Sequence, residues 1–165
     1  MLQNSEVKLP RLFCIRSDLG SYRMQISFLM QKVAICLASA ANHGKSTSLK
    51  NLVHLFTGEK CSEQDIIRIF EYRGLQVGIS SSGDTPDCIR PGFDKMVEAK
   101  CDIIVCACRT KGAAADYAYN TSKNMGYEVI WMGAAVDYGN SFQDICNNQI
   151  ANAIKGIIDE IIDNQ

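Results

Sequence analysis

Long hydrophobic runs are missing from this sequence. No stretch approaches the roughly 20 apolar residues that a membrane-spanning helix needs. The early run Leu12-Phe13-Cys14-Ile15 is too short for a signal-peptide core, although cations stand around it at Lys8, Arg11, Arg16 and Arg23. The expectation is a cytoplasmic protein without a membrane partner. An excess of one charge is missing too: Lys and Arg total 17, Asp and Glu 18, for a net charge of −1 and a pI of about 6.1. Nothing there would hold a nucleic acid or an anionic membrane surface, and neither is expected as a partner. Histidine is scarce, at two residues, and none of the eight cysteines (14, 36, 61, 88, 101, 106, 108 and 146) forms a C-x-x-C pair. That argues against a metal or redox framework and for reduced, mostly buried thiols. Cys106 and Cys108, two apart on an apolar run, would share one face of a strand. Blocks of like charge and internal repeats are also absent.

What the sequence has is enough length for one domain with a real core: 165 residues, which bury roughly 70% of the unfolded surface. Periodic order begins at Met30, so residues 1–29 read as a poorly ordered arm or a start-site extension, and residues 30–165 as the functional domain. Lys32 to Leu37 is short and apolar without alternation, the mark of a parallel strand covered on both faces. Leu49, Leu52, Val53 and Phe56 then fall at helical offsets, with Gly58 as a stop. Ile67, Ile69, Leu75, Val77 and Ile79 alternate around Arg73-Gly74, predicting a β-hairpin; Ser62 could instead cap a short helix there. Ser80 to Gly92 reads as a loop of turn formers, with a helix only over Phe93 to Ala99. Cys101–Cys108 is expected as a second buried strand and Gly112–Gly126 as a helix. Tyr127–Gly133 is expected as a third core strand, with Trp131 packed in it. Phe142 to Ile162, with Ile145 and Ile150 among its apolar positions, is expected as a terminal helix. The alternation predicts a three-layer α/β domain with a mostly parallel sheet and an antiparallel hairpin or edge strand. Ligands of such sheets bind beyond the carboxyl ends of the strands.

The stretch following the first strand, Ser39-Ala40-Ala41-Asn42-His43-Gly44-Lys45-Ser46-Thr47, stands at such an end and opens a helix. It matches G-x-x-x-x-G-K-[ST] except that Ser39 holds the first glycine position. Backbone N–H groups in such a loop converge on phosphate oxygens. Lys45 would reach the β and γ phosphates, the Ser46 hydroxyl would ligate Mg²⁺, and Gly44 would permit close approach. Because the first glycine's role is conformational, Ser39 is tolerable where its dihedrals are allowed. His43 either touches phosphate or fills the loop. On these residues the chain resembles the P-loop NTPase superfamily, with a match in architecture over 32–163 and a close residue match only from Asn42 to Thr47.

Two further loops pass the same test of position. Asp84, in "GDTPD" after the Leu75–Ile79 strand, resembles the acid of a D-x-x-G switch region, with Asp87 where the glycine would stand. It could hold Mg²⁺ through water, or act as base on an acceptor hydroxyl. Asp102 lies at the amino end of its strand and is set aside. "CRTKG", Cys108–Gly112, offers Arg109 and Lys111 to offset charge on a transferring phosphoryl group. Thr110-Lys111 is similar to a guanine-reading motif, but Ala113 replaces the specificity acid, so ATP is favoured over GTP. Together the three loops resemble those of small uncharacterised bacterial ATP-binding proteins with a degenerate Walker A loop. Asp137 and Tyr138, after the last strand, either contact a base or form a plain loop. The expected function is an Mg²⁺-dependent NTP hydrolase acting on ATP. The alternatives are a small-molecule or nucleoside kinase, with Asp84 as base, and a nucleotide-binding module without turnover.

Overall fold

The computed structural model describes Phe13–Cys14, Met24–Gln25 and residues 31–165. The chain divides into one unit of Met1–Met30 with Gln165 and a second of Gln31–Asn164. In the first, strands β1 (Phe13–Cys14) and β2 (Met24–Gln25) pair antiparallel. The rest of the expected arm over 1–29 lies outside the described residues.

The second unit is an α/β domain of five strands and four helices: β3 (Val33–Ala38), α1 (Lys45–Thr57), β4 (Ile67–Tyr72), β5 (Leu75–Ser80), α2 (Pro86–Glu98), β6 (Ile103–Cys108), α3 (Ala113–Asn124), β7 (Glu128–Gly133) and α4 (Gln143–Asp163). The sheet order is β4-β5-β6-β3-β7, parallel throughout except for the β4–β5 hairpin. Tyr72 pairs with Leu75, and Arg73 and Gly74 between them both take left-handed φ, as a two-residue hairpin turn demands.

Alternation along β3 and β6 divides the core. Val33, Ile35, Leu37, Ile103 and Val105 face α1 and α4, packing on Leu49, Leu52, Val53, Ala151, Ile154 and Ile158. Ala34, Cys36, Ala38, Cys106 and Cys108 face α2 and α3, where their small side chains leave room for Ile89, Phe93 and Met96. Cys36, Cys61, Cys88, Cys101, Cys106, Cys108 and Cys146 are free thiols. Cys36 and Cys106 lie 3.7 Å apart at Sγ, and that contact raises the Cys36 pKa. Cys108 is raised mainly by its contact with Cys36, and burial pushes Cys101 up to about 11. Thiols held protonated are inert packing groups. Among the described residues no helix is long and apolar enough to cross a membrane.

Two elements differ from expectation. α2 starts at Pro86, seven residues before the predicted helix. The Thr85 hydroxyl accepts from Cys88 N at 3.2 Å, and Pro86 takes the first helical position, where a missing N–H costs nothing. Its "turn formers" are thus a helix start, and Pro91 rides on the exposed side while Ile89, Gly92, Phe93 and Met96 form the buried stripe. β7 is a sheet edge rather than a core strand, and Trp131 on it is 42% exposed instead of packed inside. In α4, likewise, Ile145 is 57% exposed, and the buried stripe runs through Asn147, Ala151, Ile154 and Ile158.

Two phenylalanines test this partition. Phe93 is fully buried and Phe142 is 62% exposed. Phe93→Ala is expected to cost about 3–5 kcal/mol in urea unfolding, and Phe142→Ala about 1 kcal/mol or less.

Candidate functional site

β5, β6 and β3 are neighbours, and their carboxyl ends deliver Asp84, Arg109 and the Ser39–Gly44 loop to one edge of the sheet. Ser39 N donates to Cys108 O at 3.3 Å, tying the loop's start to β6. Ser39 is 7% exposed and is not among the residues with left-handed φ; in this loop those are Asn42 (φ 58°) and Gly44 (φ 73°). The loop therefore does not need glycine at its first position. Asparagine is one of the few side chains that visits the left-handed region readily. Gly44 is required twice over, because a Cβ there would also fall 2.1 Å from Asn147 Oδ1.

α1 begins at the next residue with no side-chain cap, so its first N–H groups are free to meet an anion. Lys45 is only 6% exposed. Its ammonium donates to Ala40 O (2.7 Å), Ser39 O (3.2 Å) and Ser39 Oγ (3.4 Å), and lies 3.5 Å from Asp84 Oδ1. The same carboxylate oxygen is 3.1 Å from Arg109 Nε. Asp84 is brought there by Gly83, which presses against β6: a Cβ on Gly83 would stand 1.7 Å from Ala107 O. Asp84 is 47% exposed, so each pair contributes no more than about 1 kcal/mol to folding. Their weight lies in position, with one carboxylate shared by cations from two other strand ends.

A cleft of about 600 Å³ opens over these groups. Asn42, His43, Gly44, Lys45, Ser46, Thr47 and Asp84 line it. Ser39 lies beneath it, holding Lys45, and Arg109 joins through Asp84. Lys111 is exposed in the β6–α3 loop, outside the lining. Ser46 Oγ donates to Ser81 O at 3.2 Å, stitching the start of α1 to the end of β5.

Sequence reasoning did not find Gln64 and Asp65 on one side of the cleft, nor Gln143, Asp144 and Asn147 at the start of α4. One of these left a signal. Asn147 stands four residues before Ala151 and seven before Ile154 on the buried stripe, an amide where an apolar residue would pack. It accepts from Ser48 Oγ (3.3 Å) and Gln143 Nε2 (3.0 Å).

The lining sets one lysine against Asp65, Asp84 and Asp144. A polyanion is disfavoured there unless a cation accompanies it. The oxygen donors, Ser46 Oγ and the Asp84 carboxylate, suit a hard ion such as Mg²⁺. Among the described residues no three His, Cys, Asp or Glu side chains gather to hold a metal alone. Mg²⁺ is commonly held by one or two carboxylates and completed by phosphate oxygens and water. No protein-family model and no curated protein matches the chain.

The loop geometry gives a paired expectation. Restoring the motif glycine with Ser39→Gly is expected to lower stability, by about 0.5–1 kcal/mol, because it adds unfolded-state freedom and removes the hydroxyl that meets Lys45 and Ala40 O. Gly44→Ala is expected to cost more, at least about 1–2 kcal/mol from left-handed strain alone. Equilibrium urea unfolding of both variants reads the order.

Proposed function

We propose that the protein binds a magnesium–nucleotide complex, ATP by preference, at the start of α1 and hydrolyses its γ-phosphate. The observation that carries this is the buried Lys45 ammonium beside free helix N–H groups, paired to an acid that a second cation, Arg109, also holds. Without an anion, Lys45 is met by loop carbonyls and Asp84; a triphosphate would replace those partners with stronger, charged ones. When bound, Mg²⁺ supplies neutralisation of the phosphate charge, and Ser46 and Asp84 are the groups that would hold it. Arg109 meets the charge that develops on the transferring phosphoryl group. Water forms the new O–Pγ bond as the bond from Pγ to the bridging oxygen breaks. The water proton ends on the released phosphate, and ADP leaves. The preference for ATP rests on Ala113, an uncharged residue where a guanine-reading acid would stand.

A kinase is the second reading. Gln64 and Asp65 also line the cleft, polar groups that an acceptor hydroxyl could meet. Asp84 would then take the acceptor's proton. Product analysis separates the two: free phosphate in the absence of any acceptor for the hydrolase, labelled acceptor for the kinase.

Thermal melting tests the binding step. Mg·ATP at 100 times its Kd is expected to add about 2.7 kcal/mol to wild-type stability, and nothing to Lys45→Ala. A wild type unmoved by millimolar ATP and GTP with Mg²⁺ would sink the proposal.

A further inference from the structure

Tyr138 is the most exposed large hydrophobic side chain among the described residues, at 88%, yet the loop that carries it is held by hydrogen bonds. Ala134 N donates to Ala38 O at 3.2 Å, fixing the loop's start beside the end of β3. The Asp137 carboxylate accepts from Gly139 N (3.1 Å) and Phe142 N (2.7 Å), and Asp137 N donates to Gln143 Oε1 (3.0 Å). Gln143 Nε2 in turn donates to Ala135 O (3.2 Å) and to Asn147 Oδ1, the atom against which Gly44 sits. The polar groups of Asp137 named here are thus used in shaping the loop. The loop's register is tied to the turn that starts α1.

The hydrogen-bonded loop holds an aromatic ring in water, beside the cleft. Tyr138 meets His43 edge to face, with ring centroids 6.2 Å apart and planes at 86°. His43 lines the cleft; Tyr138 stands just outside the lining. Lys45 pairs with Asp84, and Ser46 bonds Ser81, whose hydroxyl in turn donates to Asp65, so that flank is polar and acidic. Gly44 sits against Asn147 and Gln143 of α4, and its neighbour His43 meets Tyr138.

Building on the nucleotide reading above, we propose that Tyr138 is the stacking platform for the nucleotide's base, its ring set by His43 and by the Asp137–Gln143–Asn147 hydrogen-bond chain. A phenol face offers any base the same π surface. Tyr138 therefore supplies affinity for a nucleoside over bare polyphosphate and does not choose between adenine and guanine.

The test is titration calorimetry of Mg·ATP, Mg·GTP and magnesium tripolyphosphate against wild type, Tyr138→Ala and Tyr138→Phe. Tyr138→Ala is expected to raise Kd for both nucleotides by roughly 5- to 150-fold, the range found when a stacked aromatic is removed. Tripolyphosphate affinity should not change, and Tyr138→Phe should behave as wild type. Nucleotide affinity unaltered in Tyr138→Ala would overturn the inference, as would an equal loss for tripolyphosphate. Wild type that binds tripolyphosphate as tightly as ATP would overturn it while leaving phosphate binding intact. Wild type that binds none of the three would overturn both readings.

Discussion

Lys45 carries a full charge to a position only 6% exposed, and the architecture of the cleft is the means by which that charge is met. Its partners come from two strand ends: Ser39 and Ala40 after β3, and Asp84 after β5. Arg109, after β6 between them, holds Asp84 from the other side. This convergence follows from the strand order, since β5, β6 and β3 are adjacent and parallel and all end at the same edge. It also requires Gly83, because any side chain there would collide with the Ala107 carbonyl and push Asp84 away. Desolvating an ammonium is costly unless its donors are satisfied, so a group that displaces these partners must offer at least as much.

How much of this could be read beforehand depends on the element. β3 and β6 are apolar without interruption, and such runs have few places to go but the centre of a parallel sheet. The hairpin is legible in Ile67 and Ile69 before Arg73-Gly74 and in Leu75, Val77 and Ile79, which alternate after it. β7 has a similar run, Val-Ile-Trp-Met, yet lies at the edge; nothing local distinguishes a strand with one neighbour from a strand with two. At α2, Thr85 and Pro86 have the composition of a loop, yet in that order they are a cap and a first helical position.

Asp84 and Arg109 could be nominated from their places after strands, but their shared contact needed the Gly83 approach, which no spacing reveals. The contribution of α4 was hidden for a different reason. Apolar periodicity includes Ile145, whereas the face that packs on α1 starts at Asn147, one of five amides in α4 that nothing local sets apart from the others. Ser39 is the clearest case of a local question with a local answer. The pattern asks for glycine, but the positive φ values belong to Asn42 and Gly44. The departure at Ser39 therefore leaves the loop's conformation untouched.

In the proposed reaction Arg109 acts on charge as it develops, and Lys45 and the helix N–H groups hold the phosphates. Parallel measurement of ATP affinity and phosphate release in wild type and Arg109→Gln separates those jobs. The predicted result is binding changed by no more than about threefold and turnover lowered by at least about 100-fold. Turnover equal to wild type, with binding intact, would contradict it.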